Sequence, residues 1–281
     1  MADGELGGGP ARIALVDVET TGLSPERGDR VVEVAVAVYQ GGARTTEFAT
    51  LLNPERPIPY EVVRIHGITD EMVVQSPTFG EIAPRLAGLL TGTWFGAYNA
   101  QFDWGFLFNE FTRVGQAMPP MAGEFDVLEL ARLTMRGLPG YGLPAIARHL
   151  AINPLVGHRA MADVNTTAAV LLRLADQHPF GHDWEQLGKW LQAALPPNRI
   201  KPATMRLLKK SVTEHSPLRI WYQKRGAIDA EERVVVPRAL VQLGRTVYLD
   251  AFCTLRNDGR RFLLTRIRKA EAAGEPAIQK N

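Results

Sequence analysis

The stretch from Arg12 to Val16 becomes apolar after its first residue and ends in Asp17, the pattern of a buried strand with its chemistry at the carboxyl end. A second apolar stretch runs from Val31 to Tyr39, Gly41-Gly42 supplies a tight turn, and Thr45 to Leu52 alternates. Together they predict a three-stranded antiparallel meander. Beyond Pro59 the spacing turns helical, with Gly67 as a stop and Ser76-Pro77 as the start of a helix reaching about Leu90. Trp94 to Tyr98 predicts another strand. Phe102 to Val114, Phe125 to Met135, Leu143 to Leu150 and Met161 to Gln177 each carry helical spacing between Pro- and Gly-containing breaks. Strands first and then alternating strand and helix predict an α/β architecture.

From His178 to Pro202 the pattern holds one short amphipathic helix, which Asp183 can cap and Gln186 can complete as a capping box, followed by Pro196-Pro197. A domain connection is expected there. A basic helix from Ala203 to Val212 comes next, then strand-like runs at Leu218 to Gln223, Arg233 to Leu243, Thr246 to Thr254 and Phe262 to Ile267. This is the outline of a small β-barrel or sheet.

Composition narrows the class. At 281 residues, 46% hydrophobic and 22% charged, the chain has the makeup of an ordinary globular protein with one medium and one small domain. No run of about 18 apolar residues suggests a membrane helix, and the start MADGELGGGP lacks the basic and apolar parts of a signal peptide, so a cytoplasmic protein with no membrane partner is expected. The single Cys253 excludes an internal disulfide and a cysteine-based zinc site. A net charge of +2 hides an asymmetry: 15 Lys and Arg against 22 Asp and Glu up to Ile200, then 17 against 8. The basic end suits a polyanion or, nearly as well on charge alone, a solvated surface.

Asp17 and Glu19 lie two apart at a strand end, so their side chains share a face and can share a cation. The pair is also compatible with capping or solvation. Asp103 stands at a helix start after a predicted strand, and Asp163 in the first turn of another helix, five positions beyond His158. Each acid has the plainer reading of a charge favoured by the helix dipole.

The segments Val16-Asp17-Val18-Glu19-Thr20-Thr21-Gly22-Leu23, Asn99 to Asp103 and His158 to Asp163 resemble, in order, the three blocks of DEDDh 3′-to-5′ exonucleases. The proofreading epsilon subunit of bacterial DNA polymerase III is the nearest type. Arg64 to Glu71 resembles the HGIT stretch of that group, and the likeness covers about residues 11 to 177. It implies a ribonuclease H-like mixed sheet flanked by helices. It further implies that Asp17, Glu19, Asp103 and Asp163 hold two divalent cations, Mg²⁺ or Mn²⁺, with His158 accepting the proton of the attacking water. By the same likeness, Thr20 and Thr21 contact the terminal nucleotide, Leu23 wedges between the last bases, and Asn99 and Phe102 line the site. His66 either touches the metal-site neighbourhood or the nucleic-acid backbone, or is a satisfied helix-end histidine.

Ile220-Trp221-Tyr222, Val234 to Leu240, Val247-Tyr248-Leu249, Cys253 to Arg256 and Arg260 to Ile267 resemble a WYL domain, although the eponymous tryptophan is absent. That family implies a small Sm-like β-barrel, with Tyr248, Arg256, Arg261 and Arg266 on a nucleic-acid-binding surface. The expected organisation is therefore a tail at 1–10, an exonuclease domain at 11–178, a helical linker at 179–203, a WYL-like domain at 204–271 and a tail at 272–281. The expected activity is removal of nucleotides from the 3′ end of DNA, as single strands or frayed ends, with replication or repair proteins as candidate partners. Two alternatives stand beside it: an exoribonuclease of the same fold, and a non-catalytic nucleic-acid-binding regulator.

Overall fold

In the computed structural model, which describes residues 10–153, 159–194, 202–223, 229–243, 246–255 and 258–273, the chain divides into two compact units, 1–195 and 196–281. The first is built on a five-stranded sheet of order β3-β2-β1-β4-β5. β1 (Arg12–Thr20), β2 (Val31–Gln40) and β3 (Ala43–Leu51) form the expected antiparallel meander, and β4 (Trp94–Ala97) and β5 (Gly123–Asp126) continue it in parallel with β1. β5 is a strand that the sequence pattern does not predict. In Gly-Glu-Phe-Asp only Phe125 is buried, so four residues carry too little alternation to announce a strand.

Both faces of this sheet are covered, which is why β2 is apolar nearly throughout rather than alternating. Ala14, Val16, Val34, Val36 and Val38 pack toward α3 (Phe79–Leu90) and α4 (Ala100–Arg113). Ile13, Leu15, Ala35, Ala37 and Tyr39 pack on the opposite face with α5 (Val127–Thr134), α6 (Leu143–His149), α7 (Ala160–Asp176) and α8 (Trp184–Ala194). The short helices α1 (Tyr60–His66) and α2 (Asp70–Val73) close a smaller core around Val32, Ile58 and Ile68. The start of α8 carries the predicted cap: Asp183 accepts from the Gln186 amide at 3.0 Å and from its side chain at 2.9 Å. That helix, expected in the connecting segment, buries Trp184, Leu187 and Leu191 in the core of the first unit.

In the second unit α9 (Pro202–Glu214) sets Leu208 against an antiparallel sheet of order β10-β6-β7-β8-β9. Its strands are β6 (Leu218–Tyr222), β7 (Glu231–Leu243), β8 (Thr246–Cys253), β9 (Asp258–Leu263) and β10 (Ile267–Ala272). The single run expected from Phe262 to Ile267 is instead two strand ends separated by a 3-10 turn at Leu264–Arg266. β9 and β10 are the two edges. Among the described residues the sheet is therefore open, and the expected Sm-like barrel is not seen.

Candidate metal centre

The end of β1 gathers the acids. Asp17 and Glu19 lie on the face of Ile13 and Leu15, toward α7, and Asp163 sits in the first turn of that helix. One carboxylate oxygen from each of the three can be chosen so that all lie within 4.8 Å of one another. Asp103 comes from α4, which packs on the other face of the sheet, and reaches the same strand end: its Oδ1 accepts the Val18 amide at 3.1 Å.

Bringing these charges together out of water is unfavourable, and their protonation equilibria register it. Burial, followed by the neighbouring charges of Asp103, Asp163 and Glu19, raises the Asp17 carboxyl well above its ordinary value. Burial and then Asp163 push Glu19 up to about 7. Asp103 is pushed up to about 8, again chiefly by burial, with the Val18 hydrogen bond opposing. An all-oxygen donor set of crowded carboxylates fits a hard divalent cation, which removes the repulsion that the acids impose on one another.

The loop after β1 is fixed by its own polar groups. Thr20 Oγ1 donates to the Gly22 carbonyl at 2.6 Å, the Thr21 amide donates to the Arg30 carbonyl at 2.8 Å, and the Arg30 amide donates back to Thr21 Oγ1 at 3.0 Å. Asp29 accepts from the Ser24 amide at 3.0 Å and lies so close to Gly22 that a Cβ there would fall 2.3 Å from its carboxylate. On this scaffold Leu23 is 81% exposed.

Of the other expected site residues, Asn99 is the N-cap of α4, and Phe102 packs on Phe106 at 5.0 Å between ring centroids. His66 is buried at the end of α1, where its Nδ1 accepts the Ile68 amide at 3.0 Å. His158 and Arg256 lie outside the described residues. In the second unit Tyr248 and Arg261 share a sheet face: Leu249, Ala251 and Cys253 point to the core, so Tyr248 and Asp250 point away, and Arg261 pairs opposite Asp250. Arg266 lies in the 3-10 turn between β9 and β10.

Residues 15–171 match the family model described as Exonuclease, which is more than half of the chain. The chain belongs to the exonuclease family. Residues 203–272 match the model of the WYL domain. Within the exonuclease family the chain is 32% identical over 166 residues to the 3′-5′ exonuclease DinG of Bacillus subtilis, covering 59% of this chain and 18% of that protein. It is 33% identical over 168 residues to the PolC-type DNA polymerase III of Thermotoga maritima, covering 60% of this chain and 12% of that one. The chain thus spans less than a fifth of the length of these curated relatives. The fold is similar to that of exonuclease I solved with an inhibitor, at TM-score 0.56 and 21% identity over 87% of this chain and 56% of that one.

Two residues that sequence reasoning missed stand beside the acids. Asp126, at the end of β5, caps α5 by accepting from the Glu129 amide at 3.0 Å and also accepts the first amide of α4, that of Ala100, at 3.2 Å. It therefore ties the start of the Asp103 helix to the sheet. Burial pushes its carboxyl up to about 7. Glu33 is only 4% exposed near the start of apolar β2. A lone acid within Val-Val-Glu-Val-Ala-Val was the available signal for it, since an isolated charge in a doubly covered strand needs a partner.

Proposed function

We propose that the chain is a 3′-to-5′ exonuclease acting on DNA ends, single-stranded or frayed, with Asp17, Glu19, Asp103 and Asp163 as the holders of two divalent cations, Mg²⁺ or Mn²⁺. The observation that carries this reading is the convergence of three acids within 4.8 Å, with Asp103 in charge contact with the first of them. When bound, such a pair of ions supplies Lewis-acid activation of water and neutralises charge on the departing 3′ oxygen. His158 accepts the proton of the attacking water in this reading, on the strength of its spacing from Asp163. Leu23 contributes an apolar surface for the terminal bases, and Asn99 and Phe102 border the strand end.

DNA is favoured over RNA because the relatives include DNA polymerases. The WYL module, with Tyr248, Arg261 and Arg266, binds nucleic acid through guanidinium-phosphate pairing and base stacking and so raises the local concentration of ends. Its completion into an Sm-like barrel, and the contribution of Arg256, belong to the same proposal. A purely regulatory role is disfavoured by the retention of all four acids, whose mutual repulsion has no use in a binding platform.

The test is cleavage of 5′-labelled single-stranded DNA, a 3′-tailed duplex and matching RNA, with Mg²⁺, Mn²⁺ or chelator. Stepwise shortening of the DNA substrates is expected with either metal and none with chelator. Asp17→Ala should remove the activity. Binding without shortening under every condition would make the chain a platform, and preferential shortening of RNA would transfer the activity to the exoribonuclease reading.

A further inference from the structure

Glu33 lies directly opposite Glu19 in the antiparallel register of β1 and β2, so the two carboxylates leave the sheet on the same face. Like charges placed opposite each other destabilise a sheet, and the Glu33 side chain is only 5% exposed. What holds it there is the entry to α7. Arg159, the N-cap of that helix, sets its Nε 3.1 Å from both Glu33 oxygens and its Nη2 2.7 Å from Oε1, while the next amide, of Ala160, donates to Oε2 at 3.0 Å. The Asp163 amide in turn donates to the Arg159 carbonyl at 3.1 Å. A continuous set of bonds thus runs from the strand beside Glu19 to the helix turn that bears Asp163.

We propose that Glu33 and Arg159 form a positioning clamp that sets the separation between the strand-borne acids, Asp17 and Glu19, and the helix-borne Asp163. The proposal rests on the metal-dependent reading given above. The clamp joins two elements far apart in the sequence at the point where cation ligands must meet within a few tenths of an ångström, and it does so through a planar fork that a lysine cannot reproduce. The pair is also neutral in itself. Glu33 alone would add a further anion to the acids, and the half-exposed Arg159 offsets it beside Glu19.

A role limited to stability predicts lower melting temperatures with cation affinity unchanged, and a role limited to charge predicts that Arg159→Lys behaves as the wild type. The clamp predicts otherwise. Calorimetric titration of Mn²⁺ into the full chain should show affinity reduced by about 10- to 100-fold in both Glu33→Gln and Arg159→Lys. Turnover should fall similarly at fixed metal while KM for a single-stranded DNA substrate stays within about twofold, since misplacement of reacting groups reduces rate more than binding. Excess Mn²⁺ should restore part of the lost turnover. If Glu33→Gln does not fold, Arg159→Lys carries the test alone, because the arginine is half-exposed. A wild type that takes up Mn²⁺ with variants that match it overturns the clamp and leaves the exonuclease reading standing; a wild type that takes up none overturns both.

Discussion

Asp17, Glu19 and Asp103 are each displaced upward from their ordinary ionisation, and the direction fixes how the metal-free protein responds to pH. Glu19 is raised to about 7 and Asp103 to about 8, both mainly by burial, whereas in the unfolded chain these groups ionise near their ordinary values of about 4. Between those limits the folded state binds more protons than the unfolded state, so stability falls as pH rises. With chelator present, the melting temperature should drop from about pH 5 to about pH 8 and recover on adding Mg²⁺ at the upper end. A melting temperature flat across that window, with and without cation, would contradict the assignment. Leu23 makes a different kind of contribution. It has little core contact to lose at 81% exposure, so Leu23→Ala should leave thermal stability unchanged and raise KM for single-stranded DNA by several-fold through loss of apolar contact with the terminal bases.

At the scale of elements, the site is positioned by polar pins rather than by apolar packing alone. Glu110 of α4 receives Arg30 through two bonds, Nε at 2.8 Å and Nη2 at 3.0 Å, and also accepts the Val31 amide at 3.2 Å. This joins the Asp103 helix to the start of β2. Removing Glu110 leaves the buried Arg30 with only the Pro54 carbonyl at 2.9 Å and the exposed Glu55 at 3.3 Å, so Glu110→Ala should cost up to about 3 kcal/mol in denaturant unfolding, below the full cost of an uncompensated buried charge. The meander, β4 and the helices α3 to α9 were legible from periodicity and breakers. β5 was not, because four residues contain no period, and the division of β9 from β10 was hidden inside one apolar run. Asp17, Glu19, Asp103 and Asp163 were legible from spacing and resemblance. Glu33 and Asp126 were not singled out, because their importance lies in the amides they receive, from Ala160 and Ala100, far along the chain.

Across the whole chain, the proposed function assigns cleavage to the acidic first unit and capture of the strand to the basic second unit, a division that deletion can test. Deleting residues 204–281 should weaken binding of single-stranded DNA and reduce its salt dependence, since fewer phosphate contacts release fewer counterions, while metal-dependent shortening persists. Unchanged affinity, measured by fluorescence anisotropy over a salt series, would remove the second unit from substrate capture.

The α/β class, the order of most elements and the kinds of residue available for chemistry follow from the chain's own pattern, because periodicity and turn residues act over a few neighbouring positions. Folding adds the burial that raises Asp17, Glu19 and Asp103, the approach of their oxygens to Asp163, and the junction of strand to helix through Glu33 and Arg159. Those are consequences of the sheet and its two covering layers, in which residues more than a hundred positions apart exclude water from one another and their charges gain strength by that exclusion.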